Sequence, residues 1–319
     1  MKPSNRKKSK RTDRPTLPEL DQTKRSVLNS LASLQSRRSY QHAMDEFIDW
    51  YCSEPRLALN RGVVLRYRMQ LETRQLAPAT INVRLAAIRR LVYEAADTGL
   101  LSSELVAGIR RVKGIPQLGR RVGNWLTASE GEKLLSGFDP MSIRGKRDAE
   151  IISLLLGCGL RRSEVVGLKV HAIQRREDHW AIVDLVGKGG RVRTVPIPDW
   201  VKTAVDRWAE SVPVVSGKLF RSIRKNGTVW GSGITQNVVW YVVKACAGRA
   251  EIKALAPHDL RRTCARLCHA AGGELEQIQF LLGHASVQTT ERYIGCKQDL
   301  SRPVNDRLPF SGIVEDRKA

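Results

Sequence analysis

The sequence predicts a mainly α-helical chain of two domains, the first all helical and the second α+β with a small hairpin sheet. Three observations carry this. The chain has 319 residues, more than one domain usually holds. Apolar residues recur at helical spacing over most of it, whereas clearly β-rich runs are confined to His179–Pro198. Between the helical first third and the mixed remainder, residues 112–123 (VKGIPQLGRRVG) collect Gly, Pro and Arg with little apolar periodicity, the composition of a linker.

Composition narrows the partner before any motif is read. Lys and Arg number 54 against 32 Asp and Glu, a formal net charge of +22, so a polyanion is the expected ligand. A membrane surface is the competing polyanion. However, no apolar run approaches the roughly 20 residues that span a bilayer, and the N-terminus lacks an apolar signal segment. The chain is expected in the cytoplasm, which in a prokaryote means beside the nucleoid. Hydrophobic residues make up 42%, ample for a core, which excludes a disordered protein. The six cysteines (Cys52, Cys158, Cys246, Cys264, Cys268 and Cys296) form no C-x-x-C and read as buried free thiols of a reducing compartment. Cys264, Cys268 and His269 offer a metal corner, but a second ligand pair at finger-like spacing is missing, so no metal site is expected.

Taken in order, residues 1–23 read as a basic disordered arm. Lys2, Arg6, Lys7, Lys8, Lys10, Arg11 and Arg14 stand there against Asp13, and phosphate contact, with Lys7 and Lys8 as candidates, is favoured over a merely solvated tail. Residues 24–115 read as helical throughout. Val27, Leu28, Leu31 and Leu34 start a stripe that Tyr40, Met44, Phe47, Ile48 and Tyr51 continue; Val63, Val64, Tyr67 and Leu71 make another helix. Pro78 can open a further helix, with Ile81, Leu85, Ile88 and Val92 on its buried face and Arg84, Arg89 and Arg90 elsewhere on its surface as candidate DNA contacts. Residues 97–99 close it, and a short helix follows around 104–109. The linker proper is set at 116–123.

The second domain is set at 124–300. Thr127 and Glu130 form a capping box, and Ala149–Leu156 is an apolar helix that Gly157-Cys158-Gly159 ends. Arg161 follows directly, where an unpaired arginine is expensive unless it faces an anion or an acid; Glu164, one turn on, can pin it. Two β-rich runs, HWAIVDLV and RVRTVPIP, flank Gly-Lys-Gly-Gly, which predicts a hairpin with Lys188 in its turn. No G-x-x-x-x-G-K-[ST] is present, so a nucleotide-binding P-loop is excluded. Residues 200–247 read as helical with basic interruptions at Lys218, Arg221, Arg224 and Lys225, and His171 and His179 read as ordinary polar residues.

From Pro257 to Ile294 four side chains suited to a phosphodiester gather: His258, Arg261, His284 and Tyr293. His258 and Arg261, three apart, share a helix face, while Leu260, Cys264, Leu267, Cys268 and Ala271 follow the period on another, buried face. Residues 271–273 break that helix; Leu275, Ile278 and Leu282 rebuild a stripe up to Gly283. His284 then falls at a helix-to-loop corner, with Ser286 as an N-cap for a last short helix reaching Tyr293. Residues 301–319 read as a tail.

This constellation resembles the tyrosine recombinases, the phage-integrase and Xer family. Its pattern of H-x-x-R, then L-L-G-H, then a tyrosine nine residues on, is matched by His258–Arg261, Leu281–His284 and Tyr293. Its first box, G-L-R-x-S-E-L, is matched by Gly159–Val165, and Lys188 occupies the place of its hairpin G-K-G lysine. The runs SYQHAMDEFIDW and LAPATINVRLAAIRRLVYEA resemble its core-binding domain, so the implied fold is a two-domain clamp around DNA. The resemblance implies that Tyr293 attacks to give a 3′-phosphotyrosyl link. Arg161 and Arg261 fork onto the non-bridging oxygens, Lys188 protonates the departing 5′-oxygen, His258 is base towards the tyrosine and His284 binds the phosphate. It further implies no cofactor, neither Mg²⁺ nor ATP. The implied partner is double-stranded DNA with short inverted-repeat core sites, met as a homotetramer on paired sites and as monomer or dimer off DNA.

Two departures refine the resemblance. Arg262 stands where Xer-type proteins usually have histidine, and Val165 where leucine is usual. The first argues against a housekeeping Xer resolvase of chromosome or plasmid dimers and tilts the reading towards a mobile-element integrase. A type IB topoisomerase is disfavoured by the domain order, and a catalytically dead relative by the retention of Tyr293 and both motif arginines.

Overall fold

Helical spacing of apolar residues folds the described residues of the first of two units, Met1–Arg120, into five helices. The computed structural model describes residues 17–53, 58–116, 124–212 and 214–295. The helices are α1 (Leu17–Asn29), α2 (Leu34–Ser53), α3 (Arg61–Thr73), α4 (Pro78–Asp97) and α5 (Ser103–Arg110). Local signals fix several starts. The Asn60 side chain accepts from the Val63 N–H at 3.1 Å, Pro78 sits in the first turn of α4, and Ser102 caps α5. In the core the Phe47 and Tyr67 rings meet edge-on with centroids 5.1 Å apart, against buried Leu85, Ile88 and Leu91.

Three expectations fail in this unit. The arm expected over residues 1–23 is cut short, because α1 begins at Leu17 and buries Leu20 and Thr23. Leu34 does not join the apolar stripe: the chain leaves the helix at Ser30 and restarts at Leu34, which turns that side chain 71% exposed. Arg84 is not a surface cation. It is 8% exposed, and its Nη2 lies 2.8 Å from the Glu46 carboxylate, which also meets Arg74. A guanidinium so enclosed needs the acid it has, and it is not presented to a phosphate.

The second unit, Arg121–Ala319, is mixed. Helices α6 (Ala128–Ser136), α7 (Ile143–Gly157) and α8 (Arg162–Gly167) precede the strands β1 (Ile173–Arg176), β2 (His179–Val186) and β3 (Val192–Ile197). These form an antiparallel sheet in the order β1-β2-β3, bulged between Ile182 and Leu185. Next come α9 (Asp199–Ser211), a small hairpin of β4 (Ser222–Ile223) and β5 (Val229–Trp230), and then α10 (Gln236–Arg249), α11 (Pro257–Ala270), α12 (Leu275–Leu282) and α13 (Val287–Ile294). Thr127 and Glu130 complete the capping box of α6. The central helix, α7, is fully enclosed through Ile151, Ile152, Leu154 and Leu155, and each such side chain contributes about 1.5–3 kcal/mol.

The hairpin over β2 and β3 stands where period-two patterning predicts it, with β1 added along one edge. The helical reading of 200–247 is corrected. The chain leaves α9 at Ser211, and β4 and β5 turn through Asn226-Gly227, with Gly227 at φ 84°. A turn dipeptide between short β-rich pairs overrides the helical period there. Among the described residues no helix is long and apolar enough to cross a membrane.

Candidate active site

The turn that ends α7 builds the first wall of the site. Gly159 has φ 58°, and a Cβ there would stand 2.7 Å from Leu282 Cδ2, so only glycine lets the chain pass α12. Two residues on, Arg161 caps α8. Glu164 accepts from its backbone N–H and from its Nη1, both at 2.8 Å. The same carboxylate, only 2% exposed, accepts from Arg193 Nη1 at 3.0 Å and Nη2 at 2.9 Å. Burial pushes the Glu164 carboxyl up, but the hydrogen bonds from Arg193 and from Arg161 outweigh it and hold the group below the usual range. Arg193 also donates through Nε to the Leu281 carbonyl at 3.0 Å, tying β3 to the end of α12.

Helix α11 builds the second wall. Pro257 opens it, so His258 and Arg261 lie in its first turns. Arg261 is 1% exposed, which corrects the expectation that its face is a different one from the buried face. Its guanidinium donates to the carbonyls of Gly159 and Leu282, and its Nε has no protein partner. Burial first, and the nearby Arg161 second, lower its pKa to about 10, so it stays cationic at neutral pH.

The third wall is the corner between α12 and α13. Gly283 ends α12 in the left-handed region at φ 61°, and His284 turns inward with Nδ1 3.0 Å from the Thr290 hydroxyl. Ser286 holds the N-cap position of α13, but its hydroxyl meets Thr289 Oγ1 at 3.3 Å instead of a backbone N–H. One face of α13 delivers Tyr293 between two histidines. Its hydroxyl is hydrogen-bonded to His258 Nε2, and its ring centroid lies 5.2 Å from that of His258 and 4.7 Å from that of His284. Burial, then Arg261 and Arg161, push His284 down to about 4. Desolvation, then Arg262 and Arg261, lower His258 as well. Both imidazoles are therefore neutral at pH 7, and His258 is able to accept the tyrosine proton.

Arg161, Glu164, His258, Arg261, His284 and Tyr293 thus converge from three places, the start of α8, the first turns of α11 and the α12–α13 corner with α13. Arg161, His258 and Arg261 line one open cleft of about 370 Å³, with Arg162, Gln236 and Trp240 on its rim. Two guanidiniums, those of Arg161 and Arg193, hold the Glu164 carboxylate and a third, that of Arg261, lies nearby, so the site is cationic and shaped for an anion. Lys188 lies in the short 3-10 turn between β2 and β3, and its side chain lies outside the described residues. Lys7 and Lys8 also lie outside them. In the first unit Arg90 is exposed, Arg89 is half-buried and donates to the Val112 carbonyl, and Arg84 is the buried partner of Glu46.

Sequence reasoning missed Arg193 and Thr290. Arg193 was legible only as one cation in the alternating RVRTV, and nothing local marks Thr290 as the partner of His284. Arg262, noted as a departure, lies with its guanidinium 5.1 Å over the Tyr293 ring and 3.5 Å from Asp259.

Comparison with known proteins adds to this geometry. The phage integrase family matches residues 124–298. Tyrosine recombinase XerD of Ralstonia nicotianae is 32% identical over 222 residues, 67% of this chain and 68% of its own length. Two solved structures share the fold. XerH site-specific recombinase bound to palindromic difH substrate, a post-cleavage complex, is 20% identical, with a TM-score of 0.67 over 90% of this chain and 82% of its own. The Tn1549 transposon integrase in complex with circular intermediate DNA is 17% identical, with a TM-score of 0.61 over 88% of this chain and 96% of its own.

Proposed function

Since this chain belongs to the phage integrase family and is a tyrosine-type site-specific DNA recombinase, we propose that it breaks and rejoins DNA strands through a 3′-phosphotyrosyl link formed by Tyr293. The observation that carries the reading is the hydrogen bond from the Tyr293 hydroxyl to His258, beside a cleft lined by Arg161 and Arg261. A tyrosine is a weak nucleophile at neutral pH unless a base takes its proton and cations hold the phosphate. His258, neutral because it is desolvated among guanidiniums, is the base. Arg161 and Arg261 neutralise the non-bridging oxygens, and His284 hydrogen-bonds the phosphate. Lys188, at the hairpin tip, protonates the leaving 5′-oxygen. The covalent link keeps the phosphodiester's free energy for religation, so the reaction draws on neither Mg²⁺ nor ATP.

In this reading residues 24–115 grip one side of the duplex and residues 124–300 the other, joined by the linker 116–123. The basic segment ahead of α1 contacts phosphates, and residues 301–319 are a tail. The partner is double-stranded DNA with short inverted-repeat core sites, met as a homotetramer on paired sites and as monomer or dimer off DNA. The protein works in the prokaryotic cytoplasm, on the nucleoid. Mobile-element integration is the favoured role, supported by Arg262 in place of the Xer histidine and by the fold shared with the Tn1549 transposon integrase. Dimer resolution is the second reading, favoured by the 32% identity to XerD.

A nicked suicide duplex carrying the recombination site tests the chemistry. The wild-type chain should become covalently trapped with or without EDTA, whereas Tyr293→Phe should bind the duplex and form no adduct. An adduct from Tyr293→Phe would name another nucleophile and overturn the assignment.

A further inference from the structure

Arg262 borders the site, yet the strand-transfer chemistry gives it no part. On α11 it stands one residue beyond Arg261, so the helix points the two side chains about 100° apart. Arg261 goes inward to the carbonyls of Gly159 and Leu282, whereas Arg262 goes towards α13. Arg262 also lies four residues after His258, one turn on along the same face. One helix face therefore gives Tyr293 two contacts. His258 meets its hydroxyl, and the Arg262 guanidinium lies over its ring, 5.1 Å from the centroid.

The contact is enclosed. The Arg262 side chain is 17% exposed, and its Nε is buried without a hydrogen-bond partner among the described residues. Asp259 steadies the guanidinium, with Oδ1 3.5 Å from Nη1, while its Oδ2 accepts from the Ala256 N–H at the start of α11. A cation held over a ring gains as water is removed, so this contact is stronger than a surface one. Tyr293 needs such a hold. It is the penultimate residue of α13, an eight-residue helix too short to stand without tertiary contacts. The rings of His258 and His284 meet it at 84° and 69°, and Arg262 adds a cation.

We propose that Arg262 is a positioning residue for strand cleavage, clamping the Tyr293 ring so that its hydroxyl meets His258 and keeping that histidine free to take the proton. In the step itself the tyrosine O–H bond breaks and the proton passes to His258 Nε2. The freed oxygen bonds to phosphorus, and the 5′-oxygen leaves with a proton from Lys188. The titratable and charged groups facing His258 are Arg262, Arg261 and Asp259 on its own helix, Arg161 from the start of α8, His284 from the α12–α13 corner and Tyr293 from α13. Burial first, then Arg262 and Arg261, disfavour an imidazolium there; Arg161 adds to them and Asp259 opposes them. Removing the Arg262 charge therefore lets His258 hold a proton to higher pH, where a protonated ring cannot act as base.

This role rests on the proposed cleavage chemistry, so the test reads His258 and cleavage separately. The full chain is prepared with ring-labelled histidine as wild type, Arg262→Met and Arg262→Lys, and His258 is followed by NMR from acid to neutral pH. Arg262→Met keeps the apolar stem and removes the charge. Its His258 should stay protonated to higher pH than in the wild type, whereas Arg262→Lys, which keeps the charge, should titrate with the wild type. On the nicked duplex, single-turnover cleavage by Arg262→Met should fall about tenfold, with its acid limb moved to higher pH and duplex affinity unchanged. Arg262→Lys should recover part of the rate. Arg262→Gln takes the place of Arg262→Met if methionine disturbs folding. The proposal is overturned if His258 titrates alike in the wild type and the neutral variant, if Arg262→Lys titrates as the neutral variant does, or if the neutral variant cleaves at the wild-type rate. It is also overturned if duplex affinity falls as much as cleavage, which would make Arg262 a phosphate anchor. Failure of the wild type to cleave would count against the recombinase reading, and the histidine titration would still decide whether Arg262 governs His258.

Discussion

Glu164 and Arg193 are joined by a two-pronged ion pair, with Oε1–Nη1 at 3.0 Å and Oε2–Nη2 at 2.9 Å, and the same carboxylate holds Arg161. Strand β3 is thereby tied to the residue proposed to neutralise the phosphate. The turn that carries Lys188 joins this strand to β2, so the ion pair sets the spacing between the hairpin and Arg161. Gly187 keeps the junction open, since a Cβ there would stand 3.1 Å from Arg193 Nη1 and 3.3 Å from Arg161 Nη1.

Arg193→Ala leaves a buried carboxylate with one cation in place of two. Breaking a buried pair typically costs about 3–5 kcal/mol, and the urea midpoint should fall by a corresponding amount. Arg193→Lys restores the charge without the fork, so it should recover stability in part while cleavage stays depressed. Equal cleavage by Arg193→Lys and wild type would show that the strand needs only a positive charge at this position.

His284 sets an acid limit on folding. Its folded pKa, about 4, lies below its ordinary value, because the ring is buried and faces Arg261 and Arg161. The unfolded chain therefore binds the proton more readily. Stability is fully present above the ordinary histidine range and is lost as pH falls from there towards about 4. The loss attributable to this residue is at most about 3 kcal/mol. Denaturant unfolding across that window should show a shallower slope in His284→Gln than in the wild type. Identical slopes would place the titrating group elsewhere. His258 is shifted in the same direction, so cleavage should also decline with acidification.

Local signals made much of this legible. The Thr127–Glu130 box, Pro78, the apolar run of α7 and the period-two strands all act within a few residues, and the structure places elements there. The candidate site residues stood out because their chemistry is rare at such spacing, as with His258 and Arg261 three apart, and the structure brings most of them together. What was hidden depends on packing between distant segments. The burial of Arg84 is decided by Glu46, far away in sequence on α2, and Arg193 becomes important only because β3 runs past Glu164. The β4–β5 hairpin had its signal in Asn226-Gly227, but four surrounding basic residues read as interruptions of a helix. Arg261 was placed on the wrong side of burial because spacing gives a helix face and not what covers it.

The contrast between Arg84 and Arg90 tests which cations of α4 meet DNA. Arg90 is exposed and donates through Nη2 to the Ser30 hydroxyl at 3.1 Å, a hydrogen bond too weak at the surface to matter much for folding. If Arg90 neutralises a phosphate, Arg90→Ala should leave thermal stability almost unchanged. It should flatten the dependence of log Kd on log salt concentration by about 0.9, one counterion's worth. Arg84 is the opposite case. Its side chain is 10% exposed and paired with Glu46, which keeps Arg74 when Arg84 is removed. Arg84→Ala should therefore cost about 2 kcal/mol of stability, less than a fully orphaned buried acid would, and leave the salt slope where it was. Binding measured from low to moderate salt, well below each variant's unfolding midpoint, separates the two. A flattened slope for Arg84→Ala with unchanged stability would mean that Arg84 leaves Glu46 for a phosphate when DNA is bound, and would restore it as a contact.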